Sequence, residues 1–127
     1  MLKKNTKKLS LNEWNNYLNK IGNYNIYHTP YMITYYEKCQ ENIKNISFFC
    51  FEGREVMAFV PLATSKNNKN LNVLSFGEVP CPLPIYWNGL SPRSKRKIMN
   101  EIFNEIHSIM RKEKIEYADF HYHPISV

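Results

Sequence analysis

Residues Ser47 to Leu62 read SFFCFEGREVMAFVPL, in which two nearly continuous apolar runs lie on either side of a single glycine. Unbroken apolar runs are typical of strands covered on both faces, because a half-exposed strand alternates polar with apolar residues. The segment Glu52-Gly53-Arg54-Glu55 supplies the reversal, since glycine accepts the positive φ that a tight hairpin turn requires. The stretch therefore predicts a buried β-hairpin at the centre of a sheet, with helices on both sides.

A first helix is predicted before this hairpin, from about Leu11 to Ile21. Ser10 and Glu13 have the spacing of a capping box, in which each residue satisfies a backbone amide at the start of the helix. Gly22 follows the last apolar position and is typical of a helix end. The sequence therefore marks both ends of this helix.

A second helix is predicted to begin at Thr29-Pro30, a cap followed by proline in the first helical position, and to end near residues 40–43. Its apolar and aromatic residues recur at helical spacing, so we expect one side of the helix to face the core. The residues on that side are Tyr31, Met32, Tyr35, Tyr36 and Cys39.

The hairpin is expected to end at Pro61, and the polar segment Ser65 to Asn70 is interpreted as a loop. Leu71 to Phe76 then predicts a third strand in an antiparallel meander. The prolines between Pro80 and Pro84 predict a stiff, extended strip, because each proline fixes its own φ and restricts the residue before it. A short strand at Tyr86-Trp87 follows that strip.

Ser91-Pro92 begins the longest predicted helix, whose isoleucines at 98, 102, 106 and 109 form one apolar stripe. Ile115 to His121 predicts a final strand after it, joined by a crossover that is most simply parallel. The fold class is therefore α+β: a mixed, mainly antiparallel sheet with two N-terminal helices and one long helix before the last strand. Residues 10–127 are interpreted as one domain behind a basic, flexible tail at 1–9.

The composition favours a globular protein in the cytoplasm. The chain has 127 residues, a formal charge of +6 and three cysteines. Neither a membrane span nor a signal peptide is predicted, because no apolar stretch is long enough. The cysteines are expected to be reduced. Much of the positive charge is concentrated in the leading tail, so we do not expect a nucleic-acid partner, and RNA contact through that tail is the weakest of three functional hypotheses.

The order of these elements resembles the amino-terminal half of acyltransferases of the Fem-like class, in the GNAT superfamily. The residues that carry the resemblance are Trp14, the segment Tyr27-His28-Thr29-Pro30-Tyr31, the hairpin FEGREVMAFVPL, Ser75-Phe76-Gly77 and Glu116-Tyr117-Ala118-Asp119-Phe120. The resemblance implies the first of two GNAT-like subdomains, which together build a cleft for acyl or aminoacyl transfer to cell-wall or sugar amines. A second such half, or a second copy of the chain, is then the expected partner.

The sequence departs from that family where the acyl donor would bind. A donor site of the acyl-CoA type needs a glycine-rich turn entering a helix, and the four glycines of this chain are isolated. We therefore expect acceptor-binding surface and no cofactor in this chain, with acyl-CoA or aminoacyl-tRNA bound only if a second half completes the enzyme. The rival hypothesis is a non-catalytic interaction module that uses a sheet edge or the Pro80 to Pro84 strip.

Two groups of residues are candidates for binding. The first comprises the aromatic residues Tyr27, His28, Tyr86 and Trp87, which could line a cleft for an amino-sugar or peptide acceptor. The second comprises Arg93, Lys95 and Arg96, whose charges oppose the helix dipole at the start of the long helix and would favour contact with an anion. The alternatives are a core role for the aromatic residues and a solvated turn for the cations.

Three further patterns are weaker, and a structural role is the leading interpretation of each. His121 and His123 have a spacing that zinc sites use on a strand, but no third ligand is evident, so no metal is expected. Glu116 and Asp119 resemble a general base at the end of a strand only in residue type. Cys81 lies between two prolines and is a nucleophile only with a basic neighbour. No catalytic residue is assigned.

Overall fold

The computed structural model describes residues 3–4, 9–40, 42–67, 69–77, 81–118 and 120–121. Its helices are α1 (Leu11–Ile21), α2 (Pro30–Cys39) and α3 (Pro92–Lys112), with a short 3-10 turn at Ile26–His28. Its strands are β1 (Lys3–Lys4), β2 (Lys44–Asn45), β3 (Phe48–Glu52), β4 (Glu55–Val60), β5 (Ala63–Lys66), β6 (Asn72–Leu74), β7 (Cys81–Pro82), β8 (Ile85–Tyr86), β9 (Tyr117–Ala118) and β10 (Phe120–His121). The fold is α+β with mixed, mainly antiparallel sheets, as the sequence predicts.

The predicted hairpin is confirmed, and it is longer than expected. β3 and β4 pair around Gly53, whose φ is +61°. Beyond them β2 pairs with β5 in the same register. The segments 44–52 and 55–64 therefore form one antiparallel ribbon that runs through both four-stranded sheets. Pro61 has no N–H and interrupts this ribbon. There the Ser47 hydroxyl exchanges hydrogen bonds of 2.9 and 3.1 Å with the backbone of Leu62, replacing the missing strand bonds.

Helices cover both faces of the β3–β4 part of the ribbon. On one face the Trp14 ring of α1 lies 6.1 Å from the Phe49 ring and 5.4 Å from the Phe59 ring. On the other face, Phe48 and Cys50 meet α3. Alternate residues of a strand point to opposite faces, so a continuous apolar run serves both helices. The two-sided burial expected from the sequence is therefore confirmed.

The helix starts also agree with the sequence. Ser10 and Glu13 form the predicted capping box, with both hydrogen bonds at 3.2 Å. Thr29 and Ser91 cap α2 and α3 through their side-chain oxygens. Among the described helices, none combines the length and the apolar character of a membrane-spanning segment.

The predicted loop at Ser65 to Asn70 is wrong at its start, because β5 continues to Lys66. Ser65 is buried, and its hydroxyl lies 2.8 Å from the Ser75 hydroxyl, which donates to the Gly77 carbonyl. This buried pair allows a polar residue inside a sheet. β6 then runs antiparallel to β5, so the predicted third strand exists but belongs to the second sheet.

The final strand is confirmed as parallel, in two short pieces. β9 pairs with β6 and β10 pairs with β7, both in parallel. The long helix α3 is thus the crossover that the sequence predicts. The short strand expected at Tyr86-Trp87 lies one residue earlier, as β8, and pairs with β4.

The expected core side of α2 is only partly right. Tyr36 is buried and Met32 packs against the core as predicted, whereas Tyr31, Tyr35 and Cys39 are exposed. The helix also buries Pro30 and Ile33. Within the tail expected at residues 1–9, the structure pairs Lys3 and Lys4 with β3 as an edge strand, and residues 1–2 and 5–8 lie outside the described residues.

Candidate functional site

The four aromatic candidates do not form one cleft. Tyr86 and Cys50 are both opposite Ala58 in the sheet, and Lys95 of α3 lies 5.3 Å from the centre of the Tyr86 ring. Tyr86 therefore belongs to the α3 face. His28 lies on the α1 face, with its ring 6.4 Å from that of Phe59. The two residues are thus separated by the sheet itself.

His28 connects the turn before α2 to the proline-rich strip. Its side chain is buried, with 1% of its surface exposed. The Asn25 N–H donates to Nδ1 at 3.1 Å, so the proton of the neutral ring is on Nε2. Nε2 then donates to the Leu83 carbonyl at 3.3 Å. This geometry makes His28 a positioning residue for the two segments rather than part of an accessible surface.

The remaining aromatic candidates reach the surface, where Tyr27 is 36% and Trp87 39% exposed. Trp87 directly follows β8, and its N–H donates to the Met57 carbonyl at 2.8 Å. Gly89 lies so close to the indole ring that an added Cβ would clash with it. The backbone bond to Met57 and the contact with Gly89 therefore hold this indole in place, and its exposed part is accessible to a ligand.

The cationic candidates Arg93, Lys95 and Arg96 are exposed in the first turns of α3. Ser91 caps this helix by accepting from the Ser94 N–H at 3.2 Å. The ammonium of Lys95 stacks on Tyr86, a contact that stabilises a cation beside an aromatic face. The structure thus places one of these cations against the sheet and leaves the other two in solvent.

The sequence did not single out the small cavity of about 100 Å³ beneath β1, which Cys50 lines together with Lys4, Glu101 and Glu105. Lys4 closes it by an ion pair of 2.6 Å to Glu105. Burial raises the pKa of the Cys50 thiol to about 12, and Glu105 and Glu101 act in the same direction while Lys4 opposes them. Because the thiolate is the reactive form, this cysteine is a poor nucleophile at neutral pH.

Cys81 is also buried, with no exposed surface, and it lies in β7 opposite Phe120 of β10. This location agrees with the structural role that the sequence favours. The disposition of Cys39 differs from the expected one, since it is exposed on the last turn of α2.

An open groove of about 370 Å³ lies at the far end of α3. His107, Arg111 and Lys114 line its rim, and Met110 and Ile115 contribute apolar surface. Cations at this end of a helix compensate the negative end of the helix dipole. The groove residues thus have a structural role that accounts for their charge.

Several weaker candidates fall partly outside the described residues, namely Asp119, His123 and the first residue of the strip, Pro80. Glu116 is exposed, and its N–H donates to the Asn72 carbonyl at 2.8 Å. Within the ranges that the structure describes, no three His, Cys, Asp or Glu side chains are close enough to share a metal ion.

The role of His28 predicts a measurable cost for His28→Phe. The substitution keeps a ring of similar shape but removes the acceptor of the Asn25 N–H and the donor to the Leu83 carbonyl. We expect the free energy of unfolding, measured with urea, to fall by about 1 to 3 kcal/mol. His28→Gln retains a donor and an acceptor and should lose less. Equal stability of His28→Phe and the wild type would contradict the assigned role, and His107→Phe on the surface is the matched control.

Comparison of the chain with protein-family models, with curated proteins and with solved structures gave no match.

Proposed function

We propose that this chain is the acceptor-binding half of an N-acyltransferase of the Fem-like, GNAT type. The observation that carries the proposal is the order and pairing of the elements. Two capped helices precede a long hairpin that is covered on both faces, and the long helix α3 leads to a final strand that pairs in parallel. This is the arrangement that the resemblance in the sequence implies.

In this proposal the chain contributes binding surface, and the donor is held elsewhere. An amino-sugar or peptide amine would contact exposed aromatic side chains, of which Tyr27 and Trp87 are the candidates. Acyl-CoA or aminoacyl-tRNA would bind to a second half, whether a separate chain or a further domain. The three free cysteines fit a reducing compartment, so we place this activity in the cytoplasm.

The rival interaction module would use a sheet edge or the proline-rich strip. At the β2 edge of the ribbon, the Asn45 N–H donates to the Glu37 carboxylate at 3.4 Å and the Ser47 N–H to the Asn45 side chain at 2.9 Å. Such side-chain caps protect this edge from pairing with another chain. The strip contributes β7, which pairs with β10, and the following β8 is the outer strand beside β4, so β8 is the edge that the module would use.

A thermal-shift screen tests the proposal, because a ligand that binds the native state raises the melting temperature according to its occupancy. We expect a rise with amine acceptors, for which glucosamine and short peptides with a free amino group are the probes. No rise is expected with acetyl-CoA, since this chain has no glycine-rich turn for the pyrophosphate. A clear rise of the melting temperature with acetyl-CoA would contradict the proposal that the donor binds outside this chain. No response to any amine would contradict the acceptor role.

A further inference from the structure

One side of α3 is a row of side chains that can donate hydrogen bonds, and it runs almost the full length of the helix. Its members recur at alternating intervals of four and three residues, so each turn contributes one of them. All of them are exposed. We call this row the donor stripe, and its residues are Arg93, Lys97, Asn100, Asn104, His107 and Arg111. From its first to its last residue the stripe is about 27 Å long, from the rise of an α-helix.

The buried side of α3 fixes the direction in which the stripe points. Ile98, Ile102 and Ile106 are buried in the core cluster, on the opposite side of the helix. The stripe therefore faces away from the sheet. Within the described part of the chain, its side chains make no hydrogen bond or ion pair, so their donors are available to a partner.

The stripe contains no acid. The two acids within α3, Glu101 and Glu105, line the cavity beneath β1, where Glu105 is already ion-paired. Glu113 follows the helix as its C-cap, and Glu116 lies with Arg111 in the groove at this end. Neither of these two forms an ion pair with another described residue. Negative charge near the stripe is thus limited to its last turn.

The helix dipole does not account for this distribution of charge. It stabilises a cation in the last turn, such as Arg111, because the carbonyl end of a helix is negative. Arg93 and Lys97 lie in the first turns, where the dipole opposes a positive charge and where α3 has no acid. An anionic partner along the helix would remove this electrostatic cost.

We propose that the donor stripe binds the phosphate backbone of a single-stranded nucleic acid. A row with one donor per turn matches a polymer whose anionic groups recur at regular intervals. Successive turns are about 5.4 Å apart, more than the ~3.4 Å per nucleotide of a duplex strand, which favours a strand whose bases are unstacked. Phe103 is exposed beside the stripe and offers a ring on which a base can stack.

A lipid surface matches the stripe less well. Helices that lie in a membrane interface insert an apolar face, whereas the apolar face of α3 is buried against the sheet. Asn100 and Asn104 also place neutral amides between the cations, and such amides bind phosphate oxygens and sugar hydroxyls. The inference goes beyond the proposed function and does not rest on it, because this ligand carries no acyl or aminoacyl group.

The test is the fluorescence anisotropy of a labelled oligouridylate of about 12 nucleotides, titrated with the full chain. Because Arg93, Lys97 and Arg111 each displace counterions, the logarithm of the association constant should fall with the logarithm of the salt concentration, with a slope of about −2. The affinity should then drop roughly 20-fold between about 50 and about 200 mM salt. Phe103→Ala should weaken binding about fivefold or more, from the loss of one stacked base.

Two matched double variants locate the site. Lys97→Gln, Arg111→Gln removes one lysine and one arginine from the stripe, and Lys38→Gln, Arg54→Gln removes the same residue types from exposed positions elsewhere. At about 100 mM salt, the stripe variant should bind roughly tenfold more weakly than the wild type, with a salt slope smaller by about 1.4. The control variant should stay within about twofold of the wild type, since salt screens distant charges.

The outcomes separate this inference from its rivals and from the acyltransferase proposal. No binding by ~0.1 mM protein at ~50 mM salt would overturn it. Equal losses in the two double variants would assign binding to net charge, and tighter binding of a duplex of equal length would contradict the single-strand ligand. Binding to phosphatidylserine vesicles but not to oligouridylate would assign the stripe to a membrane surface instead. Oligouridylate binding without any response to amine acceptors would support this inference while contradicting the proposed function.

Discussion

Phe59→Ala is expected to cost about 3 to 5 kcal/mol of the free energy of unfolding, the range for a large aromatic residue removed from a core. The Phe59 side chain has no exposed surface. Its ring lies 4.5 Å from that of Phe49 and 5.4 Å from that of Trp14, so it joins the ribbon to α1. Small domains have only about 5 to 15 kcal/mol in total. The variant should therefore unfold at a much lower urea concentration than the wild type, or fail to fold.

Two further variants keep this prediction testable if Phe59→Ala does not fold. Phe59→Leu keeps more of the apolar volume, although it loses the ring contacts with Phe49 and Trp14, and should cost less than Phe59→Ala. Phe103→Ala removes the same side chain from a position that is 36% exposed and should cost clearly less than Phe59→Ala. Equal unfolding midpoints for Phe59→Ala and Phe103→Ala would contradict the location of the core in the ribbon.

Features decided by neighbouring residues could be predicted from the sequence. The capping box of Ser10 and Glu13, and the Thr29-Pro30 and Ser91-Pro92 starts, involve contacts over three residues or fewer. The hairpin turn at Gly53 is equally local. In each case the physical cause lies within one turn of chain, so a short motif contains all the information needed.

Features decided by distant partners could not be predicted. Ser65 belongs to a strand because the Ser75 hydroxyl, ten residues away, satisfies its own hydroxyl inside the sheet. Its polarity alone indicates a loop. In the same way, the spacing along α2 leaves the limits of its buried face open. Tyr36 is buried and its ring lies 5.7 Å from that of Phe76, whereas Tyr31 and Tyr35 have the same helical spacing and are exposed.

The candidate site shows the same limit. Tyr86 and Trp87 are adjacent in the sequence, as are Tyr27 and His28, so their aromatic character predicts a shared cleft. The sheet separates Tyr86 from His28. The His28 side chain is buried and hydrogen-bonded to the Asn25 N–H and the Leu83 carbonyl. One signal was nevertheless present, since the interval from Lys20 to Glu37 is both rich in tyrosine and free of charged residues. A pattern of that kind indicates an exposed aromatic surface as readily as a core.

Alkaline pH should destabilise the protein through two acids on the α3 face, the buried Cys50 and the partly buried Tyr86. Burial raises the pKa of Cys50 from 9.0 to about 12, and that of Tyr86 from 10.0 to about 12 with a smaller effect from Cys50. At pH values well below 9.0 both groups are protonated in the folded and the unfolded chain, so their contribution to stability is fully present. As the pH rises toward 12, the unfolded chain loses these protons first, and the free energy of unfolding falls. One pKa unit is worth about 1.4 kcal/mol for a group shielded from water, so Cys50 contributes most of the loss and the partly exposed Tyr86 contributes less.

The double variant Cys50→Ala, Tyr86→Phe isolates this effect, because it removes only these two acids and leaves all other ionisable groups in place. Both proteins are unfolded with urea at pH values well below and above 9.0, the ordinary pKa of the cysteine thiol. At the lower pH the variant should be the less stable protein. It loses the buried sulfur of Cys50, and the substitution at Tyr86 alters the ring that Lys95 contacts. As the pH rises, the wild type should lose stability faster, so the difference between the two narrows or reverses. Parallel curves would show that neither Cys50 nor Tyr86 is held in its protonated form by the fold, and would place the α3 face in contact with water rather than in the core.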